Sequence, residues 1–240
     1  MTEIFKEGIR LYNSKNYEEA LDAFLSQPDS TENPALEVAY YVGLSYAQLN
    51  KYDDALLYLE QVVTGGADPK RVNQCRLALA VIYSKTERTS LADFEPKKLL
   101  EGGYQTSDVY SVMAYEAWVR KEEENSIQYY EKALEINPES STALNGLGYV
   151  LACMNRDLTK ALFCCKKAVD KNPDSPAFLD SLGWVYYKLG LMTEARSFIK
   201  RAYDKNPSNP EISEHYTIVS TETHGPNNGK EKSSSQGGKK

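Results

Sequence analysis

One residue pattern recurs along the chain at the spacing of a helical hairpin, and it limits the possible folds more than any other feature. Around Gly183, apolar and small residues hold fixed offsets: Leu179 and Leu182 before it, then Tyr186, Ala195, Ile199, Ala202 and Pro207 after it. The same frame fits Gly148, through Leu144, Leu147, Leu151, Ala161, Cys165, Ala168 and Pro173, once one extra residue is allowed between Met154 and Asp157. Upstream, Ala114, Ala80, Gly43 and Gly8 take the anchor place, and successive anchors from Gly8 to Gly183 lie 35, 37, 34, 34 and 35 residues apart. A period of this length means an array of like units, each burying its apolar face on the next.

Within each period, apolar residues recur at intervals of three and four on both sides of a polar break such as Asn13-Ser14-Lys15-Asn16 or Asn50-Lys51-Tyr52-Asp53. That spacing predicts two amphipathic helices joined by a turn. The small residues have a packing reason: Gly183 and Ala195 stand where the two helices approach closely, and Ala202 accepts the next unit. Pro138, Pro173 and Pro207 each follow an asparagine, a pair that ends one helix and starts the next segment without an unmet donor. The third period departs from the frame. Tyr83 and Ala92 keep register with Ala80, but Pro96 stands where an aromatic is expected and Gly102-Gly103 shortens the second helix, so an irregular segment is predicted near residues 86–105.

On these residues the chain resembles the tetratricopeptide repeat (TPR) family of helix-turn-helix solenoids. The likeness covers about residues 1–223 and is strongest over 107–207, where Ser126, Tyr130, Ala133 and Pro138 continue the pattern; Gly43, Tyr46, Ala55 and Leu59, and Gly8, Leu11, Ala20 and Phe24, carry it upstream. It implies an all-α fold, a right-handed α-solenoid of six units starting near residues 1, 36, 73, 107, 141 and 176, continuous over 1–223. The run from Asn209 to Tyr216 continues the first-helix pattern and then stops, which suits a capping helix over 209–222 that shields the last apolar face. Residues 224–240 are rich in Gly, Asn, Ser and Lys, with a charge of +3 from Gly225 onward that leaves −9 on the body. They are expected to be a disordered tail. The segments Ala177–Gly190 and Pro210–His215 are similar to the last repeats of certain bacterial TPR proteins, many of them envelope-associated, and suggest a bacterial source.

Composition excludes several function classes. A net charge of −6 over 240 residues lacks the basic footprint of a nucleic-acid or anionic-membrane binder. No stretch approaches the roughly 18 to 20 apolar residues that cross a bilayer. The start, Met-Thr-Glu-Ile-Phe-Lys-Glu, has no signal-peptide pattern, so a cytoplasmic location is expected, with envelope association only if an export segment is missing. Cys75, Cys153, Cys164 and Cys165 fit neither a metal knuckle nor a disulfide ladder and read as reduced, buried thiols. With His215 and His224 the only histidines, neither a metal site nor a nucleophile is supported. Gly146-Leu147-Gly148 lies within a helical pattern with no strand before it, so it is not a phosphate loop. Glu122-Glu123-Glu124 complements a helix start. No enzyme activity and no cofactor are expected.

Binding remains. The resemblance implies that the first helix of each unit lines a concave face, with the residues three before, one after and four after the anchor on one stripe. Those positions hold Ser111, Tyr115 and Trp118 in the fourth unit, Asn145, Tyr149 and Ala152 in the fifth, and Asp180, Trp184 and Tyr187 in the sixth; the second unit adds Tyr40, with Tyr41 beside it. Flat aromatics with an amide that both donates and accepts suit an extended peptide. Packing against the next unit accounts equally well for Trp184 and Tyr149, and better for Tyr46, Tyr83, Tyr130 and Tyr186. The two-Lys, one-Arg, two-Asn carboxylate clamp of one TPR subclass is missing: the corresponding positions are Phe5, Ile9, Tyr41, Gln74 and Ala78. The expected function is a non-catalytic scaffold or adaptor that holds an uncharged or basic segment of another protein, mainly along units four to six. The alternative is a homodimer formed through exposed aromatics.

Overall fold

The computed structural model describes residues 2–27, 35–222 and 225–226, so the tail expected beyond Pro226 lies outside the described residues. Among them the chain forms thirteen α-helices and no strand. It divides into two compact units, Met1–Val119 and Arg120–Lys240. The first holds α1 (Glu3–Asn13), α2 (Tyr17–Leu25), α3 (Ala35–Gln48), α4 (Tyr52–Thr64), α5 (Pro69–Lys85), α6 (Thr89–Glu101) and α7 (Ser107–Val119). The second holds α8 (Glu123–Ile136), α9 (Ser141–Cys153), α10 (Leu158–Lys171), α11 (Pro176–Lys188), α12 (Met192–Lys205) and α13 (Pro210–Thr221). In sequence these are the six predicted helix pairs followed by the predicted cap.

Within each unit the odd-numbered helices pack on one another, α1 on α3 on α5 on α7, and α9 on α11 on α13, whereas the backbones of the even-numbered helices lie against odd-numbered ones. The two helices of a hairpin approach closely because the anchors are glycine or alanine. A Cβ on Gly8 would stand 2.6 Å from the Phe24 ring, and one on Gly43 would stand 2.9 Å from Leu59. Twelve residues on, or thirteen where the extra residue is inserted, the facing helix presents Ala20, Ala55, Ala92, Ser126, Ala161 and Ala195, all fully buried.

Starts of the odd-numbered helices differ from those of the even-numbered ones. Ser140, Ser175 and Asn209 cap α9, α11 and α13 with their side chains, and Pro176 and Pro210 fill first-turn positions that need no donor. Most even-numbered helices begin without a side-chain cap, because they leave a tight turn that ends the helix before. Seven residues after each anchor, one residue takes positive φ: Lys15 (65°), Asn50 (58°), Glu87 (60°), Lys121 (63°), Asn155 (53°) and Gly190 (77°). The next N–H then reaches back to the preceding helix, as from Asn16 to Leu11 (3.0 Å), Lys51 to Tyr46 (3.0 Å) and Leu191 to Tyr186 (2.9 Å). This is the Schellman closure. In the fifth pair the extra residue adds a second left-handed position, Asp157 (φ 36°), whose side chain accepts from the Lys160 N–H.

A left-handed conformation costs an ordinary L-residue roughly 1 to 2 kcal/mol, part of which glycine returns through its freer unfolded chain. Glu87→Gly is therefore expected to stabilise the first unit by about 0.5 to 1 kcal/mol, and Asn50→Gly by less, since Asn tolerates this region. Urea midpoints check this; a lower midpoint for Glu87→Gly would show that its side chain contributes more than the backbone costs.

The third pair corrects one expectation. α6 runs unbroken from Thr89 through Pro96 to Glu101, so the shortened, irregular segment expected near residues 86–105 is a regular helix. Pro96 leaves the Ala92 carbonyl without its usual donor, yet the ring is buried with Ala92 and Leu99, and Glu95 pairs with Arg76 of α5 at 2.5 Å. Gly102 and Gly103 finish the helix and do not shorten it: Gly103 has φ 78° and the Tyr104 N–H donates to the Leu99 carbonyl at 2.8 Å.

Candidate interaction surface on the first helices

In the first unit Tyr40, Tyr41 and Ser111 of the predicted site are drawn into packing. The Tyr40 hydroxyl donates to Gln74 Oε1 at 2.8 Å, and Arg71, which pairs with Glu37 at 2.6 Å, lies 5.4 Å from the Tyr40 ring centre. Both ties join α3 to α5 across 34 residues, one repeat. Tyr41 belongs to an aromatic cluster, stacked on Phe24 at 5.3 Å and edge-on to Phe5 at 5.8 Å and Tyr12 at 5.7 Å. Ser111 is buried and returns its hydroxyl to the Ser107 carbonyl at 2.8 Å. Tyr115 and Trp118 stay partly exposed on α7.

In the second unit, the stripe on α11 is covered by α13. Asp180, Trp184 and Tyr187 are 3%, 9% and 6% exposed. Their cover is polar and aromatic: His215 Nδ1 lies 2.8 Å from Asp180 Oδ2, the His215 ring stacks on Trp184 at 3.9 Å and 13°, and the Tyr187 hydroxyl donates to Glu222 at 2.7 Å. Trp184 also stacks on Tyr187 at 4.7 Å, with Lys188 Nζ 4.9 Å from its ring centre. Asp180 to His215 and Tyr187 to Glu222 each span 35 residues, again one repeat. The open face expected over these three residues is thus occupied by the chain's own terminal helix. Arg196 of α12 clamps the end of that helix through the Val219 carbonyl at 2.8 Å and the Glu222 carbonyl at 2.6 Å. Beyond it Gly225 comes back onto the turn after α11, so close that a Cβ there would meet Gly190 Cα and the Tyr187 carbonyl at 2.7 Å.

The other half of the stripe, on α9, remains partly exposed at Asn145 and Tyr149, while Ala152 is fully buried. The Tyr149 hydroxyl donates to Glu211 at the start of α13, and its ring lies 6.3 Å from His215. Burial pushes the titration of the Tyr149 phenol up, with Cys153 and Glu211 adding to the shift. Burial likewise raises the Asp180 carboxyl, against the opposing hydrogen bond and charge of His215. The side-chain amide oxygen of Asn145 and the second oxygen of Asp180, Oδ1, are buried without a hydrogen-bond partner.

Sequence reasoning missed His215, Glu211, Glu222 and Arg196. A signal was present for two of them: His215 and Glu222 stand one repeat beyond Asp180 and Tyr187. Among the described residues no group of three or more His, Cys, Asp or Glu is placed to hold a metal ion. No helix among them is long and apolar enough to cross a membrane.

Models of the tetratricopeptide repeat match residues 5–71 and 164–210, residues 108–140 and residues 129–163, most of the chain between them. The chain belongs to the tetratricopeptide repeat family. Solved structures agree on the fold. A TPR protein from Parabacteroides merdae superimposes with a TM-score of 0.71 at 13% identity, covering 90% of this chain and 83% of that one. The Cut9–Hcn1 hetero-tetramer of APC/C gives 0.69 at 13% identity over 90% of this chain but 42% of the other, so this TPR chain spans less than half of that relative. PilF of Pseudomonas aeruginosa gives 0.56 at 20% identity, covering 78% and 83% of the two chains. A search of curated proteins by sequence found no match. The TPR fold is in general a protein–protein interaction module built on an extended inner surface.

Proposed function

We propose that this chain is a non-catalytic interaction module that holds a segment of another protein along the first helices of its repeats. The observation that supports this best is the face of α9. Asn145 and Tyr149 lie one turn apart and partly exposed there, on a helix whose other large residues, Leu144, Leu147, Val150 and Leu151, are core. Packing of the hairpin does not require an amide at position 145. The Asn145 amide can offer its N–H donors to an extended backbone, its oxygen being buried, and the Tyr149 ring offers a flat apolar surface. In the first unit, Tyr115 and Trp118 on α7 are the partly exposed aromatics of the same register.

Two substitutions test the reading. Asn145→Ala and Tyr149→Phe, used as bait in parallel with the unaltered chain, should lose about tenfold or more of a captured partner for Asn145→Ala, roughly 1.4 kcal/mol of binding, while helical circular dichroism stays unchanged. Tyr149→Phe keeps the ring and should retain most of it. Equal capture by all three chains would remove the α9 face from the proposal. Light scattering on the same samples separates a partner-binding monomer from a chain that pairs with itself.

A further inference from the structure

The imidazole of His215 meets only one oxygen of the buried Asp180 carboxylate, and the indole it stacks on keeps its own N–H buried without an acceptor. The His215 ring lies flat on Trp184 at 3.9 Å and its Nδ1 engages Asp180 Oδ2 at 2.8 Å, with His215 and Asp180 both at most 5% exposed. Asp180 Oδ1 is buried and unpartnered. On the neighbouring α9, at the same repeat position as Asp180, Asn145 Oδ1 is also buried and unpartnered. Glu211 brings a further carboxylate to this end of α13, where it receives the Tyr149 hydroxyl. Lys188, 4.9 Å from the Trp184 ring centre, shows that the indole already receives positive charge. An imidazole carries at most two N–H groups, whereas a guanidinium carries five in one plane, matches a carboxylate with two parallel bonds and stacks on an indole.

We propose that the space filled by His215 is a receptor site for a guanidinium group, occupied in cis by α13, and that the external ligand is an arginine side chain of a partner segment. This rests on the interaction-module reading and adds the ligand chemistry. Toward α11 and α9, α13 buries His215 and is tied by the hydrogen bonds from Tyr187 to Glu222 and Tyr149 to Glu211; Arg196 and Tyr203 of α12 hold its other side, so a competitor has to displace the His215 side only. A ligand that satisfies both Asp180 oxygens gains what His215 leaves unmet, because a buried acceptor without a donor is costly. Displacement then follows from that difference in affinity between the closed and open arrangements.

The test uses the full chain at pH 7.5 and needs no partner. His215→Gly should melt lower than the unaltered chain, and methylguanidinium chloride should recover about 3 °C of the loss at a concentration where imidazole recovers less and sodium chloride nothing. His215→Arg should melt at or above the unaltered chain, and Asp180→Asn should abolish both effects. Equal or better rescue by imidazole overturns the proposal. So does a His215→Arg chain that melts as low as His215→Gly, or, if His215→Gly does not fold, one that also fails to fold. Because no partner enters, failed capture through Asn145 leaves this result standing, and failed rescue leaves the α9 reading standing.

Discussion

Gly148→Ala is expected to destabilise the second unit by about 2 kcal/mol. In an ordinary helix interior the same change stabilises by roughly 1 kcal/mol, so the sign itself is diagnostic. The added Cβ would stand 2.4 Å from Cys165 Sγ, 2.9 Å from the Ala161 carbonyl oxygen and 3.3 Å from the Cys165 backbone nitrogen. Two of these atoms are backbone of α10, and Cys165 is fully buried, so nothing at the contact can swing aside. Forcing one carbon into such a junction typically costs 1 to 3 kcal/mol, here at the upper end before the helix gain is subtracted. Gly183→Ala meets the same obstacle in Ile199 Cγ1 at 2.4 Å and the Ile199 nitrogen at 3.0 Å. Urea unfolding measures the change; a Gly148→Ala chain as stable as its parent would mean that α9 and α10 separate without cost, and the anchor argument would fall.

The first unit is expected to lose about 4 kcal/mol of stability through Cys75 alone as pH rises from 9 to 12, with phenols adding to the loss. Burial pushes the Cys75 thiol from 9.0 to about 12, eased only slightly by Arg71, and the residue is fully buried. Burial also pushes the Tyr40 and Tyr12 phenols from 10.0 to about 12. The native state therefore keeps protons that the unfolded chain releases. Such groups contribute fully below their unfolded values, near 9 for the thiol and 10 for the phenols, and the contribution disappears as pH climbs through the folded values. A three-unit shift corresponds to about 4 kcal/mol; the phenols add less, Tyr12 least because it is partly exposed. Urea midpoints between pH 8 and 11 should fall steadily, and Cys75→Ala should flatten the part of the slope that begins near pH 9. A flat profile in the unaltered chain would contradict the burial of these groups.

Most of the fold was legible because its determinants are local and repeated. Gly8, Gly43, Gly148 and Gly183 lie at their hairpin junctions, and Asn-Pro pairs fall between helices, since the residues that permit close backbones and helix ends are few. Pro96 was misjudged because a proline's effect on a helix depends on what holds the helix elsewhere, here a buried ring and the Arg76 pair with Glu95, which no single-residue rule contains. The site was less legible for a related reason. Positions three before and one after the anchor face the next first helix as well as any groove, so Asp180 and Trp184 read alike as ligand contacts or as seats for the following helix. Only the three-dimensional course of α13 decides that His215 fills the seat. For Tyr40, a Gln at position 74 could have been paired in advance from its separation of one repeat.

The hydrogen bond from Tyr149 to Glu211 spans 62 residues, whereas the ties from Asp180 and Tyr187 to the same helix span 35. In a chain of stacked hairpins whose stability is a sum of nearest-neighbour terms, the last element opens alone and its loss is invisible two elements away. A tie that skips a neighbour breaks that independence. Opening of α13 removes a partner from α9 as well as from α11, so the end of the array becomes part of a larger cooperative block, and whatever engages α9 is coupled in energy to the docking of the terminal helix.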